Sequence, residues 1–364
     1  MEKLISNIIE LMKIKSVSGS QDEIAKVFKW IKKHYVTEGV YVKEWFFDQA
    51  SPVMLLANCK ECDFDVVTIG HIDVVPAKNE LFTPHIEGDK LYGRGGFDMK
   101  ASVAVCLDTL LYALGKNVRY GVLITSDEET TSNGMKALQK ADIISAKAVF
   151  DTDISSDICE IVEKYKHPVS VELRAKGKNA HSSRPWEGKN AVNALVDAIK
   201  TLEKHFPQYQ LGSNLPKSTW VDTMVVTAFN SPTTYNVIPQ NAVARLNFRL
   251  TEKTSLEKLE SILQDVCKEY DCSYTILLSS SGVYMDVSNP VIKQYIRIAE
   301  KILGQKMRIS CACGATDSRM FSEKSAIIMH GISGANAHGD DEYADINSIL
   351  TLSKIQRAFI DSLI

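Results

Sequence analysis

The chain has 364 residues, 45% of them hydrophobic and 24% charged, which is the balance of a globular protein long enough for two domains. A net charge of −3 supplies neither the basic footprint of a nucleic-acid binder nor a polybasic membrane patch, and no apolar run reaches transmembrane length. The expected partners are therefore small molecules, short peptides or a second copy of the chain. The eight cysteines, scattered through the sequence, read as reduced thiols of a cytoplasmic protein, and the amphipathic start does not read as a signal peptide.

In chain order, Leu4, Ile5, Ile8, Ile9 and Met12 recur at helical spacing and predict a first helix. Ser20 with Glu23 three residues on reads as a capping box opening a second, whose apolar face is Ile24, Val27, Phe28 and Ile31. Strands are expected at 40–47, 53–58 and 66–69. After a glycine-rich turn come a buried helix at 101–114, a strand at 120–125, a helix at 133–144 and a strand at 146–150. This alternation argues for an α/β fold with a mainly parallel, helix-flanked sheet.

From about Pro168 the pattern changes. Val169, Val171 and Leu173 alternate with polar residues, Ala191, Leu195, Ile199 and Leu202 mark a helix, and strands at 224–229 and 242–250 precede a helix at 256–270 and a strand at 274–278. That is the βαββαβ order of a ferredoxin-like unit, so residues 166–282 read as a domain inserted between two parts, 1–165 and 283–364, of a catalytic domain. The α/β pattern resumes with a helix at 291–303 between Pro290 and Gly304, a strand at 326–329 and a last helix at 349–364.

Residues with chemistry gather at the predicted strand ends, the edge where open α/β sheets build their sites. The 66–69 strand delivers Gly70-His71-Ile72-Asp73. His71 and Asp73 lie two apart in extended chain and share a face, so the Asp73 carboxylate is expected to accept the second imidazole N–H and fix its tautomer. An ordinary His-Asp contact at a solvated strand end is the alternative.

The 120–125 strand ends in Asp127-Glu128-Glu129, where adjacent glutamates point different ways, one suited to ligate a metal and the other to stand beside its water; an acidic helix start is the alternative. The 146–150 strand runs into Asp151-Thr152-Asp153. Asp98, in Gly93-Arg94-Gly95-Gly96-Phe97-Asp98-Met99-Lys100, and His338, in His338-Gly339-Asp340-Asp341-Glu342, complete two imidazoles and several carboxylates. That set suits two divalent ions, zinc first with cobalt or manganese as alternatives, bridged by one carboxylate and a water roughly 3.5 to 4 Å across the pair. Cys59-x-x-Cys62 and Cys311-x-Cys313 lack a matching second pair and read as structural thiols.

From His71-Ile72-Asp73-Val74-Val75-Pro76 to the His338 loop, nearly the whole chain resembles the di-zinc metallohydrolases that include acetylornithine deacetylase, succinyl-diaminopimelate desuccinylase, aminoacylase, carnosinase-type dipeptidases, tripeptidase T and carboxypeptidase G. The resemblance implies that His71 and Asp151 hold one metal, Glu129 and His338 the other, and Asp98 bridges them. Glu128 would be the general base, with Asp73 supporting His71. The offset leaves Asp153 open as the alternative to Asp151. It further implies that His181 reaches an active site across a dimer interface, making the inserted domain both dimerisation surface and lid. Asn236, Arg249, Gly314 and Arg319 would grip substrate carboxylate or amide groups. Read by themselves, these are a surface-loop histidine, a strand arginine and a turn glycine.

The sequence departs from the family's pattern in three places. Phe150-Asp151-Thr152 stands where deacetylase relatives carry Gly-Glu-Pro and looks closer to the peptidase branches. Ala101 follows Lys100 where glycine is usual, and Leu81-Phe82 replaces a tryptophan. The expectation is a zinc-dependent homodimeric hydrolase of an amide bond in a small carboxylate-bearing substrate, a di- or tripeptide first and an N-acyl amino acid second. A non-catalytic peptide- or amino-acid-binding protein of the same fold is the reading from another class, and retention of Glu128 with the full ligand set argues against it.

Overall fold

Over the residues that the computed structural model describes, 2–47, 51–153, 157–208, 220–232 and 235–364, the apolar runs around the motifs form four parallel strands. Across the sheet their order is Tyr120–Thr125, Asp63–His71, Ser145–Asp151 and Ala326–Met329. Val66, Val67, Ile69, Val122, Leu123, Ile124, Val149 and Ile328 are buried, as strands covered on both faces require. Register sets the site: His71 lies opposite Thr125, and Asp151 lies opposite both Ile69 and Met329. The residues that follow Thr125 and Asp151 therefore emerge beside His71.

The sheet is parallel only at its centre. Tyr41–Trp45 and Val53–Ala57 extend it antiparallel on one side, and Glu160–Tyr165 pairs antiparallel with Ala326–Met329 on the other. The helix Ala101–Ala113 is buried along most of its length, which explains its lack of a polar face, while Glu2–Lys13 buries one stripe of Leu4, Ile8, Leu11 and Met12. The expected capping box at Ser20 is not formed. Ser20, at φ −81° and ψ 84°, is turned short of the extended conformation from which a hydroxyl reaches back, and its side chain makes no cap bond to Gln21–Tyr35. This strand-and-helix body, Met1–Lys164 with Tyr284–Ala312 and Thr316–Ile364, is one of two compact units.

The other unit, Tyr165–Val283 with Cys313–Ala315, is an antiparallel sheet in the order Thr223–Asn230, Asn241–Leu250, His167–Lys176, Cys272–Ser279. With helices Ala191–Glu203 and Leu256–Glu269 between the strands, this is the ferredoxin-like arrangement. Leu246, Phe248 and Leu250 point into a core shared with Val169, Val171, Leu173, Leu195 and Leu263, each such burial contributing about 1.5–3 kcal/mol. Its helices start on side-chain caps: Asn190 accepts from the N–H groups of Val192 and Asn193, and Ser255 from that of Lys258. No helix among the described residues is long and apolar enough to cross a membrane.

Candidate metal centre

His71 closes its strand almost wholly buried. Its Nδ1 lies 2.9 Å from the Asp73 backbone carbonyl, which can only accept, so Nδ1 carries the hydrogen. That leaves Nε2 facing two carboxylates, Asp98 at 3.1 Å and Asp153 at 3.5 Å. The tautomer is thus fixed mainly by the Asp73 carbonyl rather than by its carboxylate, whose nearer oxygen is 3.5 Å from Nδ1. The carboxylate works elsewhere. It accepts the Ser18 hydroxyl at 2.7 Å and the backbone N–H groups of Glu128 and Glu129, both at 3.3 Å, so Asp73 holds the turn that presents the two glutamates.

Asp98 faces both histidines. Its Oδ1 stands 3.1 Å from His71 Nε2 and its Oδ2 3.1 Å from His338 Nε2. His338, at a left-handed φ of +66° and with its side chain half exposed, also lies 3.0 Å from Glu129. Fully buried Lys100 donates to the carbonyls of Leu11 and Ile14 and anchors the Asp98 turn to the end of the first helix.

The adjacent glutamates do diverge. Glu128 has a carboxylate oxygen clustered with His71 and Asp153, all three ligand atoms lying within 4.8 Å of one another, while His71, Asp98 and Glu129 form a second such group. Of the two aspartates at the third strand end, Asp153 enters the cluster and Asp151 does not. The expectation for Asp151 is corrected here: its carboxylate accepts the Thr316 hydroxyl and, at 3.1 Å, the Asp153 N–H, and so fixes the residue that faces His71.

Electrostatics expose what the cluster lacks. Burial pushes Glu128 well above the usual carboxylate range, reinforced by the Asp153 charge, and pushes Asp153 up to about 8 against the pull of His71. Burial and the nearby Asp98 raise Glu129. Asp98 is held low, because hydrogen bonds from His338 and His71 outweigh its burial. Burial opposes charge on His71, but Asp153, Asp73 and Asp98 together raise it well above its usual value; hydrogen bonding to Asp98 leads in raising His338 to about 9. Four carboxylates packed around two imidazole nitrogens therefore need counter-charge, which protons supply poorly and divalent cations supply well. Mixed nitrogen and oxygen donors are a set that zinc accepts.

The remaining expected site residues divide. His181 and Asn236 are brought together, because the Ser182 N–H donates to the Asn236 carbonyl at 2.9 Å and His181 bridges Val237. Both are exposed, and His181 Nδ1 meets the Ser183 hydroxyl at 2.7 Å. Arg249 is half-buried on Asn241–Leu250 with Nε on Asn247, and Gly314 is exposed. Arg319 is half-buried against its own unit. Its terminal nitrogens meet the Thr316 carbonyl at 2.6 Å, the Ser132 hydroxyl at 3.4 Å and Asp317 at 3.7 Å, which ties the glutamate-bearing turn to Asp317–Phe321. The sequence reading missed Arg94 and Glu342, a buried pair behind Asp98 and His338. Both lie inside motifs it quoted, but burial of charge leaves no periodic signal. The cysteines join no cation-binding group among the described residues, and all eight are free thiols.

Comparison with known proteins bears on the family and the fold. A family model described as Peptidase family M20/M25/M40 matches residues 67–362. Succinyl-diaminopimelate desuccinylases from Rickettsia bellii and Rickettsia felis are 25% and 26% identical, over 81% and 98% of both chains respectively. Among solved structures, an M20 family metallo-carboxypeptidase from Sulfolobus solfataricus superposes with a TM-score of 0.80 at 20% identity, covering 99% of each chain. Aminopeptidase PepT from Bacillus cereus does so at 0.79 and 19%, over 100% of this chain and 98% of that one.

Proposed function

Because the chain belongs to peptidase family M20/M25/M40 and is an amide-bond hydrolase, we propose that it is an exopeptidase for di- or tripeptides with a free carboxylate, working with two divalent ions, zinc first. His71, Asp98 and Asp153 would hold one ion and Asp98, Glu129 and His338 the other. Bound there, such ions acidify a water and polarise a carbonyl oxygen.

This chain's own residues do the rest. Glu128, whose carboxylate stands with His71 and Asp153, would take the proton of the attacking water and return it to the departing amine. Asp73, gripping the N–H groups of both glutamates, keeps Glu128 and Glu129 from exchanging places. His181 is proposed as a donor to the developing oxyanion in a partner copy, with Asn236, Arg249 and Gly314 binding the substrate's carboxylate or amide.

The observation that carries the reading is Asp98, with one oxygen 3.1 Å from each of two histidines. Metal content after dialysis against zinc tests it: two ions per chain are expected, and fewer than two would contradict it.

A second reading, hydrolysis of an N-acyl amino acid, is favoured by the desuccinylase relatives, which align over 81% to 98% of the chain. The aspartate at the third strand end supports the peptide reading whichever of Asp151 and Asp153 binds metal. We also propose a cytoplasmic homodimer formed through the ferredoxin-like unit. In support, its edge strand Thr223–Asn230 exposes Val225, Val226 and Phe229, and eight free thiols suit a reducing compartment. Sedimentation of the full chain as a monomer would remove the dimer.

A further inference from the structure

We infer that the buried Arg94–Glu342 ion pair is a positioning device that sets Asp98 against His338 and thereby controls binding of the second metal ion. The inference rests on the proposed two-ion site. Arg94 and Glu342 are 2% and 0% exposed and touch none of the reacting groups. One Glu342 oxygen pairs with the Arg94 guanidinium; the other accepts the backbone N–H groups of Phe97 at 3.0 Å and of Asp98 itself at 3.1 Å. Arg94 donates its remaining terminal nitrogen to the carbonyl of Gly339, the residue after His338, at 3.1 Å. The backbone repeats the link: the Gly93 N–H donates to the Glu342 carbonyl at 3.0 Å, and Lys90–Tyr92 pairs antiparallel with Tyr343–Asp345. Two loops about 250 residues apart in sequence are thus locked side by side.

The two histidines depend on this lock unequally. His71 belongs to a central strand and keeps its place through the sheet, whereas His338 stands in a loop, half exposed, at a left-handed φ of +66°. An apolar pair could fill the same volume at less desolvation cost, so a fully buried ion pair here contributes geometry more than stability. Loosening it should let the 338 loop drift from Asp98 Oδ2 while Asp98 Oδ1 stays near His71.

The test is calorimetric titration of metal-free protein with zinc, comparing wild type with Glu342→Gln. The glutamine amide can still accept from Phe97 and Asp98 but cannot neutralise Arg94. The expected result is a first ion bound as in wild type and a second weakened about 10–100-fold, the usual cost of losing an outer partner of a metal ligand. Circular dichroism checks folding, and if Glu342→Gln does not fold, the charge-neutral double variant R94Q/E342Q is titrated with the same expectation. Wild-type binding of both ions by a folded variant, or equal weakening of both, would overturn the inference. Wild-type protein that binds fewer than two ions would overturn the proposed function and this inference with it. That failure is read in the wild type, so the two are distinguishable.

Discussion

Two histidines stand at the ends of parallel strands that flank Ser145–Asp151, each about 1% exposed, and their surroundings make them opposites. His71 ends Asp63–His71 with Nδ1 on a carbonyl and Nε2 aimed at the carboxylates of Asp98 and Asp153, and its imidazole is driven to hold a positive charge. His330 follows Ala326–Met329 and donates its backbone N–H to the Asp151 carbonyl. Its ring is satisfied by neutral groups, the Tyr295 hydroxyl at 2.7 Å and the Ile158 carbonyl at 2.8 Å, and burial pushes it down to about 4. Burial and position at a strand end are common to both. The ionised partners distinguish them, so a buried imidazole facing carboxylates is where this fold invites a cation, and one facing a hydroxyl and a carbonyl is core.

If that contrast is right, the largest effect follows from the acid that stands with His71 and Asp153. Glu128→Gln should lower kcat by about 10²–10⁴ while zinc content stays at the wild-type value. Full activity in that variant would remove Glu128 as general base. Next, Asp153→Asn should weaken zinc binding more than Asp151→Asn, and by at least the 10–100-fold typical of an outer partner, since only Asp153 faces His71. Equal or reversed losses in a zinc titration would return the ligand role to Asp151.

His330 gives an effect on stability. Its folded value lies below the unfolded 6.5, so the unfolded chain binds more protons between those values. Stability from this group is present above pH 6.5 and lost as pH falls towards 4, by up to about 3 kcal/mol. Urea unfolding of wild type and His330→Gln at pH 7 and pH 4.5 should show the difference, and identical pH dependence would contradict a neutral buried ring. Smallest of all, His181→Ala should change unfolding stability by no more than about 0.5 kcal/mol, because that ring is exposed and bonded only locally. A larger loss would mean that the histidine is a structural element of its own unit.

The sheet was legible because its strands are apolar runs and its helices carry periodic stripes. The ligand clusters were legible because each follows such a run. What the sequence could not separate is instructive. Asp151 and Asp153 are two residues apart, so no pattern of alternation chooses between them; Thr316, far along the chain, does so by engaging Asp151. Glu160–Tyr165 escaped notice because Glu160, Glu163 and Lys164 interrupt its apolar residues, and Lys90–Tyr92 because it is only three residues long. Arg94 and Glu342 are polar in sequence and core in space, and only the folded chain brings them together. Arg319 looked like a hand for substrate because arginine forks suit carboxylates, and the fold gives its terminal nitrogens partners on Thr316, Ser132 and Asp317 that no sequence pattern announces.

The central claim is best tested by hydrolysis of a mixed set of di- and tripeptides, acetylated amino acids and succinylated diamines, before and after zinc is restored to metal-stripped protein. Turnover that appears only with zinc, and on peptides ahead of acylated amino acids, is the predicted result. Hydrolysis that survives complete removal of metal would contradict it.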